Sequence, residues 1–215
     1  LCKIGSSRKI LCIMSIDAVS FELGLMTDVR SGYPFRGAIE EVEGGQVRVA
    51  QMKDVDASDG VRWSGLVRTE LRGRKEPDWL QRDDLLFVAR GDRFFAICIP
   101  APPEPAVCGP HLLHLRVRAG SGLNPAFLAW QLNQPPIQKR LHAAAEGTSQ
   151  LSIRVGEIAA LRIAVPAPEQ QARIVELAEA AQRERHYLAQ LIRNREQQLA
   201  ALAAQLAESA GLETP

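Results

Sequence analysis

From residue 28 to about 118 the hydrophobic pattern is that of short β-strands. The stretch "QVRVAQM" (46–52) alternates polar and apolar residues, as a half-buried strand does. "DDLLFVARG" (83–91) is a continuous apolar run closed by Arg-Gly, which predicts a buried strand and a turn. "RFFAICI" (93–99) follows at hairpin distance. "HLLHLRVRA" (111–119) alternates again, with Leu113, Leu115 and Val117 on one face and His114, Arg116 and Arg118 on the other. Turn-rich pieces such as "EGG", "ASDG" and "PAPPEP" separate these runs. Residues 56–82 carry basic clusters and two tryptophans with no clear period.

The period changes at residue 124. "NPAFLAWQL" opens with Asn124 as N-cap and Pro125 at the first helical position. Pro135 and Pro136 break that helix, and "IQKRLHAAA" predicts a second one over about 137–145. "EGTSQ" is a polar turn. "LSIRVGEIAALRIAV" returns to strand with a short helical interlude, ended by Pro166 and Pro168. From Pro168 to about Glu208 nothing interrupts a helix. Pro168 suits its first turn, and Glu169 sits near the positive end of its dipole.

Along this last helix Ile174, Ala178, Ala181, Leu188, Ile192, Leu199, Leu202 and Leu206 recur at alternating spacings of four and three, with Arg185 and Arg195 in the same register. That is a heptad seam. Roughly 40 residues at about 1.5 Å each make a rod of about 60 Å. A domain this small cannot cover such a seam along its whole length, so the seam predicts a partner helix.

At 215 residues the chain fits one domain plus an accessory element. The net charge of +1 points neither toward nor away from nucleic acid. Residues 96–165 carry about +3 and residues 166–215 about −2, a weak polarity. The cysteines Cys2, Cys12, Cys98 and Cys108 have no C-x-x-C spacing, which favours a reducing cytoplasm over a disulfide framework. No apolar run approaches the ~18 residues of a membrane span. The opening "LCKIGSSRKILCIMSIDAV" lacks the long apolar core and cleavage site of a signal peptide. Met14 and Met26 are candidate starts. Residues 1–27 are therefore set apart as an N-terminal segment, with part of it expected to be untranslated.

Catalytic signatures are missing. No phosphate-binding or dinucleotide glycine loop, H-E-x-x-H or G-x-S-x-G is present. "LNQPPIQ" departs from the Asn-Pro-Pro-aromatic loop of adenine methyltransferases, because Gln134 intervenes and Ile137 replaces the aromatic. "PDW" (77–79) lacks the acidic-x-Lys of a nuclease. Cys108, His111 and His114 make a C-x-x-H-x-x-H. On a strand, His114 falls on the face opposite His111, which disfavours a shared metal. No cofactor or metal is expected.

The order of "SGYPFRGAIEE", "DDLLFVARG", "NPAFLAWQLNQPPIQKRLHAAAEGTSQLSI" and "LRIAVPAPEQQARIVELAEAA" resembles the specificity subunit of type I restriction-modification systems, over about residues 28–205. Gly147-Thr148 and the run from Ile163 to Gln171 carry the most specific pieces. Two departures stand out. A full specificity subunit has two such units whose helices pair antiparallel, and this chain has one. Alanine also stands between the prolines of "VPAPEQQ", where a large apolar residue is usual.

The resemblance implies an α+β chain with a β-rich target recognition domain over 28–166 and a long coiled-coil helix over 167–210 for dimerisation and spacing. It implies a non-catalytic DNA specificity subunit. Its partners would be double-stranded DNA, a methyltransferase (modification) subunit and a restriction subunit, with a homodimer or a second half-subunit completing the seam. Candidate DNA contacts are Arg36, Arg72, Arg74, Lys75, Arg90, Lys139, Arg140, Thr148, Ser149 and Gln150. Tyr33 and Phe35 suit core packing. The alternative is a coiled-coil adaptor whose β-domain binds protein or RNA.

Overall fold

The computed structural model describes residues 17–71, 76–147 and 150–211. The chain divides into two compact units, with the division after Arg173. The first unit begins with strand β1 (Ala18–Glu22), a one-turn helix α1 (Leu23–Met26) and β2 (Thr27–Ser31). Five short strands follow: β3 (Val47–Ala50), β4 (Val55–Asp56), β5 (Gly60–Val61), β6 (Val67–Thr69) and β7 (Leu85–Val88). Then come β8 (Phe95–Cys98), β9 (Ala106–Cys108) and β10 (Leu112–Val117). The remaining elements are α2 (Pro125–Leu132), α3 (Pro135–Ala144), α4 (Val155–Ala159), β11 (Arg162–Pro166) and α5 (Pro168–Ser209).

The main sheet is antiparallel in the order β2-β10-β7-β8. The apolar run "LLFV" is β7, an inner strand buried at every position, as a run with no polar alternation requires. It turns back into β8 in the register Leu85↔Cys98 to Val88↔Phe95. A second sheet, β6-β3-β9, combines antiparallel and parallel pairing. Leu86, Val88, Ile97 and Leu112 pack with Ala50, Val55, Leu66 and Leu80 between them. Val47 and Val49 face the other way, onto Val107, Tyr33 and Phe35.

The "SGY" stretch has a steric reason. The backbones leaving β2 and β9 cross at Gly32, where a methyl group would overlap the carbonyl oxygen of Gly109. Tyr33 N donates to Cys108 O at 2.7 Å, fixing the crossing. Tyr33 and Phe35 then meet edge to face, with centroids 5.0 Å apart, over the valines.

Asn124 Oδ1 accepts from Phe127 N at 3.1 Å and Pro125 occupies the first turn, so α2 starts as expected. Asn124→Ala is expected to cost about 1 kcal/mol, read from the urea midpoint. The helix break falls at Asn133, and both prolines lie in the first turn of α3, where their missing N–H groups cost nothing. Asn133 itself clamps the edge strand β8. Its Oδ1 accepts from Ala96 N and its Nδ2 donates to Ala96 O, both at 2.8 Å. The amide thus replaces a neighbouring strand at the edge of the sheet, where Ala96 is buried.

The stretch before residue 28 carries structure. β1 pairs antiparallel with β11, from Ala18↔Pro166 to Glu22↔Arg162. Leu23 is fully buried, and its N–H donates to Leu161 O at 2.9 Å.

Beyond Arg173 the chain is the single helix α5, which ends at Ser209. Ile174, Ala178, Ala181, Leu188, Ile192, Leu199, Leu202 and Leu206 all lie on it at the expected spacing. The side chains of Leu188, Ile192, Leu199, Leu202 and Leu206 are exposed. No described helix is long and apolar enough to cross a membrane. The β-rich domain followed by one long helix agrees with the α+β organisation read from the sequence.

Candidate nucleic-acid interface

Three separate segments meet beyond the end of β7. Residues 151–153 run beside 89–91: Gly91 N donates to Leu151 O at 2.9 Å, and Ile153 N donates to Ala89 O at 2.9 Å. Arg90 forms a backbone bridge to Ser152, which also bridges Glu146. Gly147 makes the bend at φ 118°, facing the carbonyl of Gln150, in a backbone region that other residues rarely enter. The third segment is the turn into β10, where His111 is held at φ 67°. Arg90 Nη1 lies 3.2 Å from His111 Nδ1. Arg90, His111 and the exposed Gln150 therefore share one neighbourhood, although they lie as far apart as residues 90 and 150 in sequence.

The other candidates are not drawn into that cluster. Lys139 and Arg140 are exposed on α3. Arg140 Nη1 donates to Arg162 O at 3.3 Å, and Arg162 Nε donates to Ser20 Oγ at 3.2 Å, so Arg140 belongs with β1 and β11. Arg36 is exposed on the loop after Phe35. Arg72, Arg74, Lys75, Thr148 and Ser149 lie outside the described residues.

Several arginines are committed to carboxylates. Arg48 and Arg68 share Glu104, at 3.1 and 2.7 Å. Arg118 pairs with Asp28 at 2.8 Å, and Arg30 with Asp78. The most enclosed pair is Asp84 with Arg116. Arg116 Nε and Nη2 each donate to one carboxylate oxygen at 2.7 Å, and Gln81 N donates to Oδ2 at 2.7 Å. His114 Nε2 lies 2.8 Å from Oδ2. Burial alone would push the Asp84 carboxyl up, but the hydrogen bonds from Arg116 and His114 outweigh it and hold the carboxyl below its usual range. His114, on the polar face of the predicted strand, is buried in the sheet interior. Its Nδ1 has no partner among the described residues, and the residue lines a polar cavity of about 10 Å³ with Ser31, Tyr33, Glu76, Asp78 and Cys108, about the size of one water.

Cys108 and His114 thus share that cavity while His111 turns to Arg90. Among the described residues no group of three His, Cys, Asp or Glu side chains is spaced to hold a metal ion. Burial, with the charges of Asp83 and Asp84, pushes the Cys98 thiol up to about 12, and burial pushes Cys108 up as well. Both remain protonated at neutral pH, which makes them poor nucleophiles.

Sequence reasoning missed a second basic feature. Lys53, Arg62, Trp63 and Ser64, with the buried Asp54, line an open groove of about 660 Å³ beside the β4–β5 hairpin. Arg62 donates to the Lys53 carbonyl, which ties the two cations together. The arginine–tryptophan pair in "VRWSG" was the available signal. The hairpin that brings Lys53 alongside it leaves no periodicity in the sequence.

No family model matches the sequence, and no curated protein matches it significantly. Solved structures do match. The S subunit of a type I restriction-modification system from M. genitalium aligns over 86% of this chain and 44% of its own, at 16% identity and a TM-score of 0.56. The HsdS subunit from Thermoanaerobacter tengcongensis aligns over 88% of this chain and 48% of its own, at 19% identity and a TM-score of 0.56. A chain from a type I R-M system, solved for its complex assembly and conformational transition, aligns over 93% of this chain and 47% of its own, at 18% identity and a TM-score of 0.64. This chain spans about half the length of each. It therefore has the fold of one half of a type I restriction-modification specificity subunit, a β-rich domain followed by a single long helix.

Proposed function

We propose that this chain is a sequence-specific DNA-binding specificity subunit of a type I restriction-modification complex. The observation that carries the reading is the match of fold along nearly the whole chain to half of such subunits. In this reading residues 28–166 form the target recognition domain and residues 167–210 the spacer and pairing helix. The β-rich domain reads double-stranded DNA, with Arg90 and the Gly147–Gln150 turn at base edges and Arg36, Lys139 and Arg140 near phosphates. Arg72, Arg74, Lys75, Thr148, Ser149 and Gln150 complete the set named from sequence. Lys53 and Arg62 add a second cationic groove for the backbone. The long helix docks the methyltransferase subunit, a restriction subunit joins that assembly, and a second copy or half-subunit supplies the other recognition domain. The chain itself is non-catalytic, needs no cofactor and works in the cytoplasm.

The test is duplex binding across a salt series, followed by mapping of methylated sites in cells that carry the chain with its methyltransferase. Affinity is expected to fall steeply with salt, with a log–log slope of about −0.9 per phosphate contacted. Arg90→Ala is expected to weaken the cognate site roughly 5- to 150-fold and to relax preference at one base pair. Lys139→Ala is expected to weaken all sequences alike and flatten the slope by about 1. Binding to protein or single-stranded RNA, with no duplex binding, would support the adaptor reading instead.

A further inference from the structure

We propose that His111 is a positioning residue for Arg90, whose guanidinium it holds ready to read a guanine without cancelling its charge. The inference rests on the DNA-reading role given to Arg90 above and adds a residue and a base to it.

The direction of the contact fixes the tautomer. Arg90 Nη1 lies 3.2 Å from His111 Nδ1. A guanidinium only donates, so Nδ1 accepts and the imidazole carries its proton on Nε2. A ring in that state has no charge. The other arginines of this unit behave differently: Arg30, Arg48, Arg68, Arg116, Arg118 and Arg154 each face a carboxylate. Among the described residues the Arg90 side chain is bonded to His111 alone. A carboxylate would orient the guanidinium too, but it would cancel the charge that draws a nucleic acid in. An imidazole orients it and leaves the charge whole.

Both ends of the contact are fixed through the backbone. Arg90 sits between two ladder bonds, Gly91 N to Leu151 O and Ile153 N to Ala89 O, both 2.9 Å. His111 directly precedes Leu112, which pairs with Val88 and whose carbonyl accepts from Gly32 N at 3.1 Å. On its other side Gly109 N donates to Ala50 O at 2.8 Å. One further step of the β7–β10 register brings His111 level with Ala89, next to Arg90. The turn itself does not call for histidine. His111 stands at φ 67°, where glycine costs less. What histidine adds is the acceptor.

With one Nη1–H given to His111, the Nε and Nη2 N–H groups of Arg90 remain as a parallel pair. In Arg116 the same two groups hold the two oxygens of Asp84. On a duplex that pair matches the O6 and N7 acceptors of guanine in the major groove. An arginine already held in place loses less rotamer freedom on binding than one that swings in water.

Variants of the full chain test the assignment on the duplex that wild type selects from a random pool. His111→Gly suits the turn and lacks the acceptor. It is expected to weaken the selected duplex about 10-fold and to leave unrelated duplex unchanged. His111→Asn tolerates the same φ, and its Oδ1 stands as many bonds from the backbone as Nδ1 does, so binding is expected to return to within about 2-fold of wild type. His111→Asp keeps an acceptor but neutralises Arg90, and is expected to weaken every duplex. Beside Arg90→Ala, His111→Gly is expected to add nothing. Replacing the recognised guanine by 7-deazaguanine, which lacks N7, is expected to weaken wild type and spare Arg90→Ala. Nitrogen NMR of the unliganded chain is expected to place the His111 proton on Nε2. A proton on Nδ1, a loss that Asn does not restore, a loss that persists beside Arg90→Ala, an Asp variant that binds like wild type, or indifference to 7-deazaguanine at every guanine overturns the proposal. If wild type selects no duplex, the functional reading fails and takes this inference with it. If it selects one that His111→Gly binds equally well, the positioning role alone fails.

Discussion

Replacing Asp84 by alanine is expected to destabilise the fold by about 3 kcal/mol, the low end for breaking a buried pair because the Arg116 left behind is partly exposed. The Asp84 side chain is 2% exposed and accepts two hydrogen bonds from Arg116 and one from the Gln81 backbone, with His114 beside it. Its removal leaves Arg116 without the carboxylate that anchors it and leaves the Gln81 N–H unpaired. It also strips His114 of its neighbour within the sheet interior. Arg116 and His114 both lie on β10, while Asp84 precedes β7, so the cluster ties two central strands together. The urea midpoint against wild type measures the loss.

The same group sets a pH dependence. The folded carboxyl titrates below its unfolded value, so its contribution is fully present above the unfolded pKa of about 3.9. That contribution is lost as pH falls through the folded value. Asp84→Asn keeps the volume and removes the charge. The stability gap between wild type and Asp84→Asn is therefore expected to be widest near pH 7 and to close below about pH 4. A gap that stayed constant down to acid pH would show that the charge contributes nothing.

Gln171→Leu is expected to cost about 2–3 kcal/mol, although it replaces a polar residue by an apolar one of similar size in a buried site. Gln171 is 0% exposed and fully hydrogen-bonded. Its Oε1 accepts from Asn124 N at 2.8 Å, and its Nε2 donates to Gly122 O at 2.9 Å and to Pro166 O at 2.8 Å. One amide thus joins the first turn of α5, the cap of α2 and the end of β11. Leucine leaves one N–H and two carbonyls without partners. Gln171→Glu should be at least as damaging, because a carboxylate keeps the acceptor and turns its second oxygen toward two carbonyls. Thermal unfolding of both variants decides it. A Glu variant as stable as wild type would rule out the donor role.

These two residues also show where sequence reasoning reached and where it stopped. Gln171 could be singled out from the "VPAPEQQ" stretch, but as a motif position only; its three partners come from three other segments. Asp84 was visible as the start of the "DDLLFVARG" strand and was assigned no role. Its partner Arg116 lies on a different strand, and no local spacing connects them. The candidate interface divides in the same way. Arg90 and Gln150 stood out by residue type in turns, whereas His111 beside Arg90, and the pairing of 151–153 with 89–91, follow from strand order. The Lys53–Arg62 groove was missed because a hairpin of two-residue strands brings its cations together.

What the sequence by itself determined was local. The period of the last 40 or so residues, the cap at Asn124, the turn before β8 and the proline start of α5 depend on neighbours within a few positions, and the chain carries those signals directly. The tertiary structure alone decided the parallel pairing of β3 with β9, the closure of β1 on β11, the clamp of Asn133 on Ala96 and the burial of His114 beside Asp84. Each joins segments tens of residues apart, where the energy comes from strands and side chains that meet only once the core has closed.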